Sequence, residues 1–384
     1  MPVRIPDGAE VLSELTAQFG QRLPTSAAEA MAAAQINARL RQAGFSVDTR
    51  PLPTVAHPGA RFASVAVALL VAIALAVWHP VSGIIIGLGL MACLMVDALY
   101  TPLPVWRQSH LSQNIIAARP IEGATAERPG QPRWRMVLLA PLDTPPVWRG
   151  ITRLIAPTRE GLFARLTLCS LPIAIAVSAT SWPVLRWMLA SGALIGALVL
   201  LWTTRRPVPL MQPDGGLAAL ATLLVAAQQL SGLRHVEVWP VAIGAAHCSQ
   251  NGISDLIKRY PFEREQTVMI GLGPLTAGQL TIMSREGVFR HEQADPLLIR
   301  LAMAADRADP VIDLEPRAQA VRNELLSPLQ QRGFRVLGIR AAANGVTSLD
   351  PQLVERAARL IVAIAHTLEI ESETNDDLSA LRTK

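Results

Sequence analysis

The sequence predicts an α/β domain of three layers that is interrupted by two transmembrane helical hairpins. Two observations support this fold class. Two long blocks, residues 62–96 and 166–204, contain almost no charged side chains. The polar segments around them alternate between helix-like and strand-like patterns, which is typical of a sheet covered by helices. Charged residues make up 17% of the 384-residue chain, whereas about a quarter is usual for a soluble domain.

Each apolar block is too long for one transmembrane span and long enough for two, because a helix needs about 20 apolar residues to cross a bilayer. The first block has a natural break at Pro80 and the second at Pro183. We therefore expect four spans in two hairpins, residues 61–104 and 161–205. Indole rings suit the membrane interface, and four tryptophans fall near the proposed span ends: Trp78, Trp182, Trp187 and Trp202. The alternative is four buried helices of a soluble protein.

The arginine distribution predicts how the chain is oriented. An even number of spans places every polar segment on one side, while the short turns on the far side hold only His79 and Arg186. The positive-inside rule then predicts an integral inner or plasma membrane protein whose bulk is cytoplasmic. The arginines that flank the spans are Arg61, Arg107, Arg149, Arg153, Arg159, Arg165, Arg205 and Arg206. They explain the net charge of +5, so we expect the lipid bilayer, and no nucleic acid, as a partner.

The polar segments carry start and stop signals for further elements. Ser26 and Glu29 form a capping box before a helix that Gly44 ends. Residues 114–119 and 134–140 resemble a strand pair joined by a polar turn. Other strands are predicted over 45–52, 236–246, 267–273 and 335–341, and other helices over 213–232 and from 350 onward. The α/β domain is expected to comprise residues 1–60, 105–160 and 206–384.

The order of seven segments points to a known family. They are GFSVDTRPL, SQNIIAARP, RWRMVLLAPLDT, PDGGLAALATLLVAAQQL, VEVWPVAIGAAHCSQNGI, QQRGFRVLGIRA and LDPQLVERAARL. In this order they resemble peptidase family M-28, the co-catalytic di-zinc aminopeptidases, over nearly all of the polar sequence. The resemblance implies a zinc-peptidase-like domain in which a mixed sheet is flanked by helices. It also implies two zinc ions at the carboxyl ends of the strands.

The resemblance assigns site positions, and most of them are replaced in this chain. The first zinc-binding His corresponds to Pro141, two residues before Asp143, which we expect at the rim of the pocket. The bridging Asp corresponds to Asp214, which is retained. The general base corresponds to Ala246, which cannot transfer a proton. His247 stands where a ligand Glu is expected, and an imidazole is able to bind zinc there.

Two further ligand positions are also changed. Gly273 stands where a strand normally ends in an Asp ligand, and residues 342–349 lack the His that precedes the last helix. Asp214 and His247 are then the remnant metal positions, whereas a catalytic zinc normally has three protein ligands. Each survivor also has an ordinary interpretation. Asp214 is well placed to cap a helix, His247 to lie in a turn, and Asp143 to serve as a turn or capping acid.

Three functions are compatible with this pattern. The first is a membrane-anchored pseudopeptidase that acts in binding or assembly, with no cofactor and an unknown protein or peptide partner. The second is an active zinc aminopeptidase that holds one zinc through Asp214, His247 and an unrecognised ligand. The third, a transporter or channel component, has weak support because the spans contain no acid except Asp97. The second hairpin enters between Asp143 and Asp214, so we expect the pocket beside that hairpin, at the membrane surface.

Overall fold

The structure is a computed structural model, and it describes residues 7–99, 103, 110–123, 131–178, 182–260, 262–287, 292–319, 323, 325–341 and 348–382. Its helices are α1 (Gly8–Gln18), α2 (Ala27–Gln42), α3 (Ala63–Trp78), α4 (Pro80–Leu99), α5 (Arg159–Val177), α6 (Pro183–Thr204), α7 (Gly215–Gln229), α8 (Asn251–Arg259), α9 (Pro296–Ala308), α10 (Ser327–Gln331) and α11 (Pro351–Arg382). Its strands are β1 (Ser46–Thr54), β2 (His110–Ala118), β3 (Trp134–Pro141), β4 (Val236–Ile243), β5 (Thr267–Leu275), β6 (Leu280–Glu286), β7 (Glu292–Gln293), β8 (Leu314–Gln319) and β9 (Arg335–Ala341).

The strands form one mixed sheet, as expected. Their order is β1-β2-β4-β3-β5-β9-β6-β7, and β8 also pairs with β6. The four central strands β4, β3, β5 and β9 are parallel, whereas β1, β2 and β6 join the sheet in antiparallel pairs. Because the central strands are parallel, their carboxyl ends meet at one edge, where open α/β sheets bind ligands.

The predicted pairing of residues 114–119 with residues 134–140 is wrong, because β4 lies between β2 and β3. β4 pairs with β3 in parallel along its whole length and with β2 in antiparallel fashion. The physical reason is the apolar sequence of β3. Val137, Leu138 and Leu139 are all fully buried, and a strand buried on both faces belongs at the centre of a sheet.

Helices cover both faces of the sheet, which confirms the three-layer prediction. One face packs against α1, α2, α7, α9 and α11 in the largest apolar core. The other face packs against the shorter helices α8 and α10. Residues 215–227 of α7 are all buried, because α7 lies between the sheet and α11. This central position fixes the start of α7 at the carboxyl edge of β3 and β5.

The two apolar blocks form two helical hairpins, α3–α4 and α5–α6. The four helices, counted with the short 3₁₀ turn before α3, have 19, 20, 19 and 22 residues and are apolar enough to cross a membrane. They pack on one another through a shared apolar core. At Gly83 a Cβ atom would lie 2.4 Å from the Ala76 Cα, so α3 and α4 approach too closely for a larger residue.

The outward surface of the hairpins is apolar as well. Val81 on α4 is 71% exposed, and Met188 on α6 is 68% exposed. Large exposed apolar surfaces mark contacts with a membrane or a partner. Length, composition and surface therefore agree with four candidate spans, and the cytoplasmic orientation stays a prediction.

Candidate functional site

A cavity of about 280 Å³ lies at the carboxyl edge of the central strands. Its wall includes three of the replaced positions, Pro141 at the end of β3, Ala246 in the turn after β4, and Gly273 in β5. His247 also lines it. The structure therefore brings these predicted positions together around one space. Asp143 and Asp214 are not among its lining residues, and the structure assigns both of them other contacts.

Asp143 holds the turn that follows β4. Its carboxylate is fully buried, and it accepts hydrogen bonds from the backbone N–H groups of Ala246, at 2.9 Å, and His247, at 3.0 Å. The two bonds use different oxygens of the carboxylate. The His247 Nδ1 atom lies 3.1 Å from the Asp143 Oδ2. Asp143 is thus a buried turn acid beneath the cavity wall, whereas the sequence predicted it at the rim of the pocket.

Asp214 caps helix α7 and binds a buried arginine. Its Oδ1 accepts from the Gly216 N–H at 2.9 Å, which satisfies a free donor of the first helical turn. Its Oδ2 lies 2.8 Å from the Arg22 Nη1 and accepts from the Thr144 hydroxyl at 2.6 Å. The capping role predicted as the ordinary alternative is confirmed, and Arg22 is the partner that the sequence did not reveal.

Arg22 ties three separate segments together. It is fully buried, its Nε donates to the Leu142 carbonyl at 2.6 Å, and its backbone N–H donates to the Thr144 hydroxyl at 2.9 Å. Burial lowers the pKa of Arg22, while Asp214 and then Asp143 act to raise it. Arginine stays protonated in proteins, so the site contains a permanent cation. We call Arg22, Thr144 and Asp214 the Arg22 network.

Glu29 is a second buried acid at this edge, and sequence reasoning assigned it only to a helix cap. Its carboxylate accepts from the backbone N–H groups of Ala245 and Thr25, both at 2.6 Å, and from the Ser112 hydroxyl at 3.1 Å. Burial, and then the negative charge of Asp143, raise the pKa of Glu29 to about 7. Ser26 does cap α2, with its hydroxyl accepting from the Glu29 N–H. No sequence signal points from Glu29 to a turn more than 200 residues away.

These residues do not fit a co-catalytic zinc centre. Zinc needs carboxylate or imidazole lone pairs that face the ion, and the oxygens of Asp214 already accept from Arg22, Thr144 and Gly216. Both oxygens of Asp143 face backbone donors. The buried guanidinium also repels a dication. Residues 342–347, where the last His was expected and is missing from the sequence, lie outside the described residues.

One other group of metal-ligating side chains occurs in the described part of the chain. His235, Glu369 and Glu373 place ligand atoms within 4.8 Å of one another. They lie at the amino end of β4, at the opposite edge from the cavity. The Glu369 carboxylate accepts from three consecutive backbone N–H groups, those of residues 234–236. Because these hydrogen bonds already use the oxygens of Glu369, the group is a weak candidate for a metal site.

The far end of the cavity contains polar groups that sequence reasoning missed. Glu286 and Arg340 line the cavity together with Asn323, whose Nδ2 donates to the Glu286 Oε1 at 3.3 Å. Glu286 is 3% exposed. Its burial raises its pKa to about 7, although Asn323 and Arg340 favour its charged form. Burial lowers the pKa of Arg340. We call Glu286, Asn323 and Arg340 the polar corner.

The cavity also contacts the segment that leads into the second hairpin. Trp148, Pro157 and Thr158 line it, and the Thr158 hydroxyl caps α5 by accepting from the Gly161 N–H at 3.2 Å. Met211, which follows α6, lines it as well. The cavity therefore lies beside the entry and exit of the second hairpin, in agreement with the position expected from where that hairpin is inserted.

Comparison with solved structures identifies the fold. The zinc aminopeptidase BSAP from Bacillus subtilis matches with a TM-score of 0.53 and 11% identity over 95% of this chain and 96% of that one. An aminopeptidase from Aneurinibacillus sp. strain AM-1 has a TM-score of 0.49 and 10% identity over 94% and 92% of the two chains. Fimbriiglobus ruber glutaminyl cyclase has a TM-score of 0.49 and 12% identity over 95% and 96%.

The likeness is one of fold alone. Of these three structures, the first has a TM-score above 0.5, and the assignment rests on it. No family model and no curated relative matches the sequence. The chain has the mixed sheet and flanking helices of the zinc aminopeptidase fold, with two hairpins of apolar helices inserted into it.

Proposed function

We propose that this protein is a membrane-anchored pseudopeptidase, which keeps a peptidase fold for binding or assembly and has lost catalysis. The observation that supports this most directly is the wall of the cavity. At the positions where the resemblance implies a zinc ligand, a general base and a second ligand, the wall presents Pro141, Ala246 and Gly273. None of the three side chains is able to bind a metal or move a proton.

The Arg22 network supports the same proposal independently. Metal-assisted hydrolysis needs an ion that polarises a carbonyl or activates a water. At the retained Asp214 the positive charge is supplied by a guanidinium, 2.8 Å away, which has neither an open coordination position nor a bound water to acidify. The four candidate spans support the anchoring in a bilayer. The arginines at their flanks support a cytoplasmic position for the α/β domain.

The test is a joint measurement of metal content and hydrolysis on the full chain in detergent. We expect zinc far below one ion per chain after dialysis, no release of amino-terminal residues from peptides, and no effect of EDTA or added zinc on thermal stability. Stoichiometric zinc together with hydrolysis that disappears on Asp214→Ala or His247→Ala would establish the alternative, an active zinc aminopeptidase. Asp309→Ala, on a surface acid paired with Arg359, is the matched control and should change neither quantity.

A further inference from the structure

A small cleft lies between three helix ends at which the chain enters or leaves the two hairpins. Arg61 precedes α3, Asp97 lies near the end of α4, and Thr158 precedes α5, and all three line the cleft. These helix ends belong to the side of the hairpins from which the α/β domain continues. With the hairpins in a bilayer, as proposed above and as this inference requires, the cleft lies at the membrane surface.

A buried arginine in this cleft lacks a hydrogen-bond acceptor for one of its N–H groups. Arg165 lines the cleft and is 3% exposed. Its Nη1 donates to the carbonyls of Leu154 and Ala156, which ties α5 to the turn before it. Within the described part of the chain, its Nε has no hydrogen-bond acceptor. A buried donor without an acceptor is costly and rare, so the Arg165 Nε points to an acceptor from outside the chain.

The charges around the cleft leave one positive charge in excess. The guanidinium carbons of Arg61 and Arg165 lie 4.9 and 4.2 Å from the centre of the buried Phe62 ring. Asp97 is the one acid among the described residues that line the cleft, and it already accepts from the Leu103 N–H at 2.8 Å. The amino end of α5 adds the partial positive charge of a helix terminus. A group with a single negative charge would balance this set.

We infer that the cleft binds the phosphate group of an anionic phospholipid whose headgroup is otherwise uncharged, as in phosphatidylglycerol. A phosphodiester carries one negative charge, and guanidinium groups bind phosphate oxygens through charge-assisted hydrogen bonds. The cleft has about 20 Å³, which is room for one phosphate oxygen beside Arg165. The other oxygens meet Arg61 and the Thr158 hydroxyl, which are both half-buried. Val96 and Phe163, next to the cleft in sequence, are 50% and 46% exposed and offer apolar surface to the acyl chains.

The test is thermal unfolding of the full chain in an uncharged maltoside detergent with increasing amounts of short-chain lipid. The probes are dioctanoyl-phosphatidylglycerol and dioctanoyl-phosphatidylcholine, which share their acyl chains and phosphodiester and differ in the net charge of the headgroup. The first should stabilise the chain saturably, and the second should require at least about tenfold more lipid for the same shift. Inorganic phosphate is the third probe. It lacks acyl chains and should give no saturable stabilisation over the same concentrations.

Matched variants connect the stabilisation to the cleft. Arg61→Gln should raise the half-saturating concentration of dioctanoyl-phosphatidylglycerol at least about tenfold. Arg206→Gln removes the same charge at the same end of the hairpins, at an exposed residue that stacks on Trp202 and does not line the cleft, and it should leave that concentration almost unchanged. If Arg61→Gln does not fold, Arg61→Lys serves instead, because it keeps the charge but loses the paired donors of the guanidinium. It should also weaken binding, whereas Arg206→Lys should not.

Three outcomes would overturn the inference: equal stabilisation by the two lipids, saturable stabilisation by inorganic phosphate over the same concentrations, or equal losses for the Arg61 and Arg206 variants. The last outcome would mean that the arginines attract anionic lipid only as a diffuse surface charge. Anchoring is measured separately, by flotation of the chain with phosphatidylcholine vesicles. A chain that does not float refutes the proposed anchoring, and a chain that floats but does not distinguish the lipids refutes this site alone.

Discussion

The Arg22 network and the polar corner each contain an acid that interacts with an arginine, but the two acids have opposite surroundings. In the Arg22 network the carboxylate of Asp214 is surrounded by protein donors, and a fully buried arginine neutralises its charge. In the polar corner Glu286 has one neutral donor and faces a cavity. The first arrangement stabilises the fold and leaves no room for a metal. In the second arrangement the Glu286 carboxylate lines a cavity and accepts few hydrogen bonds from the protein.

The largest effect should follow removal of the cation from the Arg22 network. Arg22→Met leaves the Asp214 carboxylate, whose side chain is 10% exposed, without its counter-charge. Breaking a buried ion pair costs about 3–5 kcal/mol, and we expect a loss near the lower end of that range. Unfolding by denaturant in detergent measures the loss. Arg259→Met, which removes an exposed pair with Asp255, should cost about 0.5 kcal/mol or less.

A double variant sharpens this test. Arg22→Met combined with Asp214→Asn removes both charges and keeps an oxygen that caps α7. A neutral amide no longer needs the counter-charge that Arg22 supplied. We therefore expect the double variant to be more stable than Arg22→Met alone. If Arg22→Met destabilises the protein no more than the Arg259→Met control does, the ion pair between Arg22 and Asp214 does not stabilise the fold as argued here.

The difference between the two regions also explains which parts were predictable from sequence. Helix α7, its cap at Asp214 and the strand at Trp134–Pro141 follow local rules of periodicity and capping, and the structure confirms them. Arg22 lies in the segment between α1 and α2, and it meets Asp214 across 192 positions of the chain. No local rule gives a contact of that separation.

The polar corner was missed for a related reason. Glu286 ends β6, and Arg340 lies near the end of the neighbouring antiparallel strand β9. Which side chains of two such strands face a cavity depends on the register and on the helices packed above them. The replaced positions Pro141, Ala246 and Gly273 do lie around one cavity, because each lies at or near the carboxyl end of a parallel strand and such ends share an edge.

The pH dependence of stability compares Glu29, whose charge acts on Arg22, with Glu286 in the polar corner, because burial raises the pKa of both to about 7. A carboxyl that binds its proton more tightly in the folded state contributes stability below its unfolded pKa and loses it as the pH rises through its folded pKa. We therefore expect the free energy of unfolding to fall between about pH 4.5 and 7, by roughly 1 kcal/mol per pH unit for each group.

Single variants separate the two contributions. Glu29→Gln and Glu286→Gln should each make the free energy of unfolding fall less steeply with pH. The measurement is denaturant unfolding at several pH values. Asp143 and Arg22 are the charges that face Glu29, and Arg340 and Glu292 those that act on Glu286. If the free energy of unfolding still falls with pH as steeply when both glutamates are replaced, other groups cause the pH dependence.

The smallest effect should come from the turn that Asp143 holds beneath the cavity wall. Asp143 uses one oxygen for the Ala246 N–H and the other for the His247 N–H. Asn offers one acceptor oxygen, so Asp143→Asn leaves one of these buried donors facing an amide NH₂ group. An unsatisfied buried donor costs about 1–3 kcal/mol, and we expect a loss near the lower end because His247 is partly exposed.

Asp295→Asn is a close control for this prediction. Asp295 caps α9 through one oxygen, Oδ1, which accepts from both the Leu297 and Leu298 N–H groups. Asn retains that oxygen and is as good a cap as Asp. The other oxygen lies 3.6 Å from the Arg335 Nη1, and losing this partly exposed pair should cost about 0.5 kcal/mol or less in denaturant unfolding. Equal losses for the two variants would mean that Asp143 acts through its charge rather than through its two acceptors. Asp143 would then belong with Asp214 in the electrostatic balance around Arg22, and its role in closing the cavity wall would be secondary.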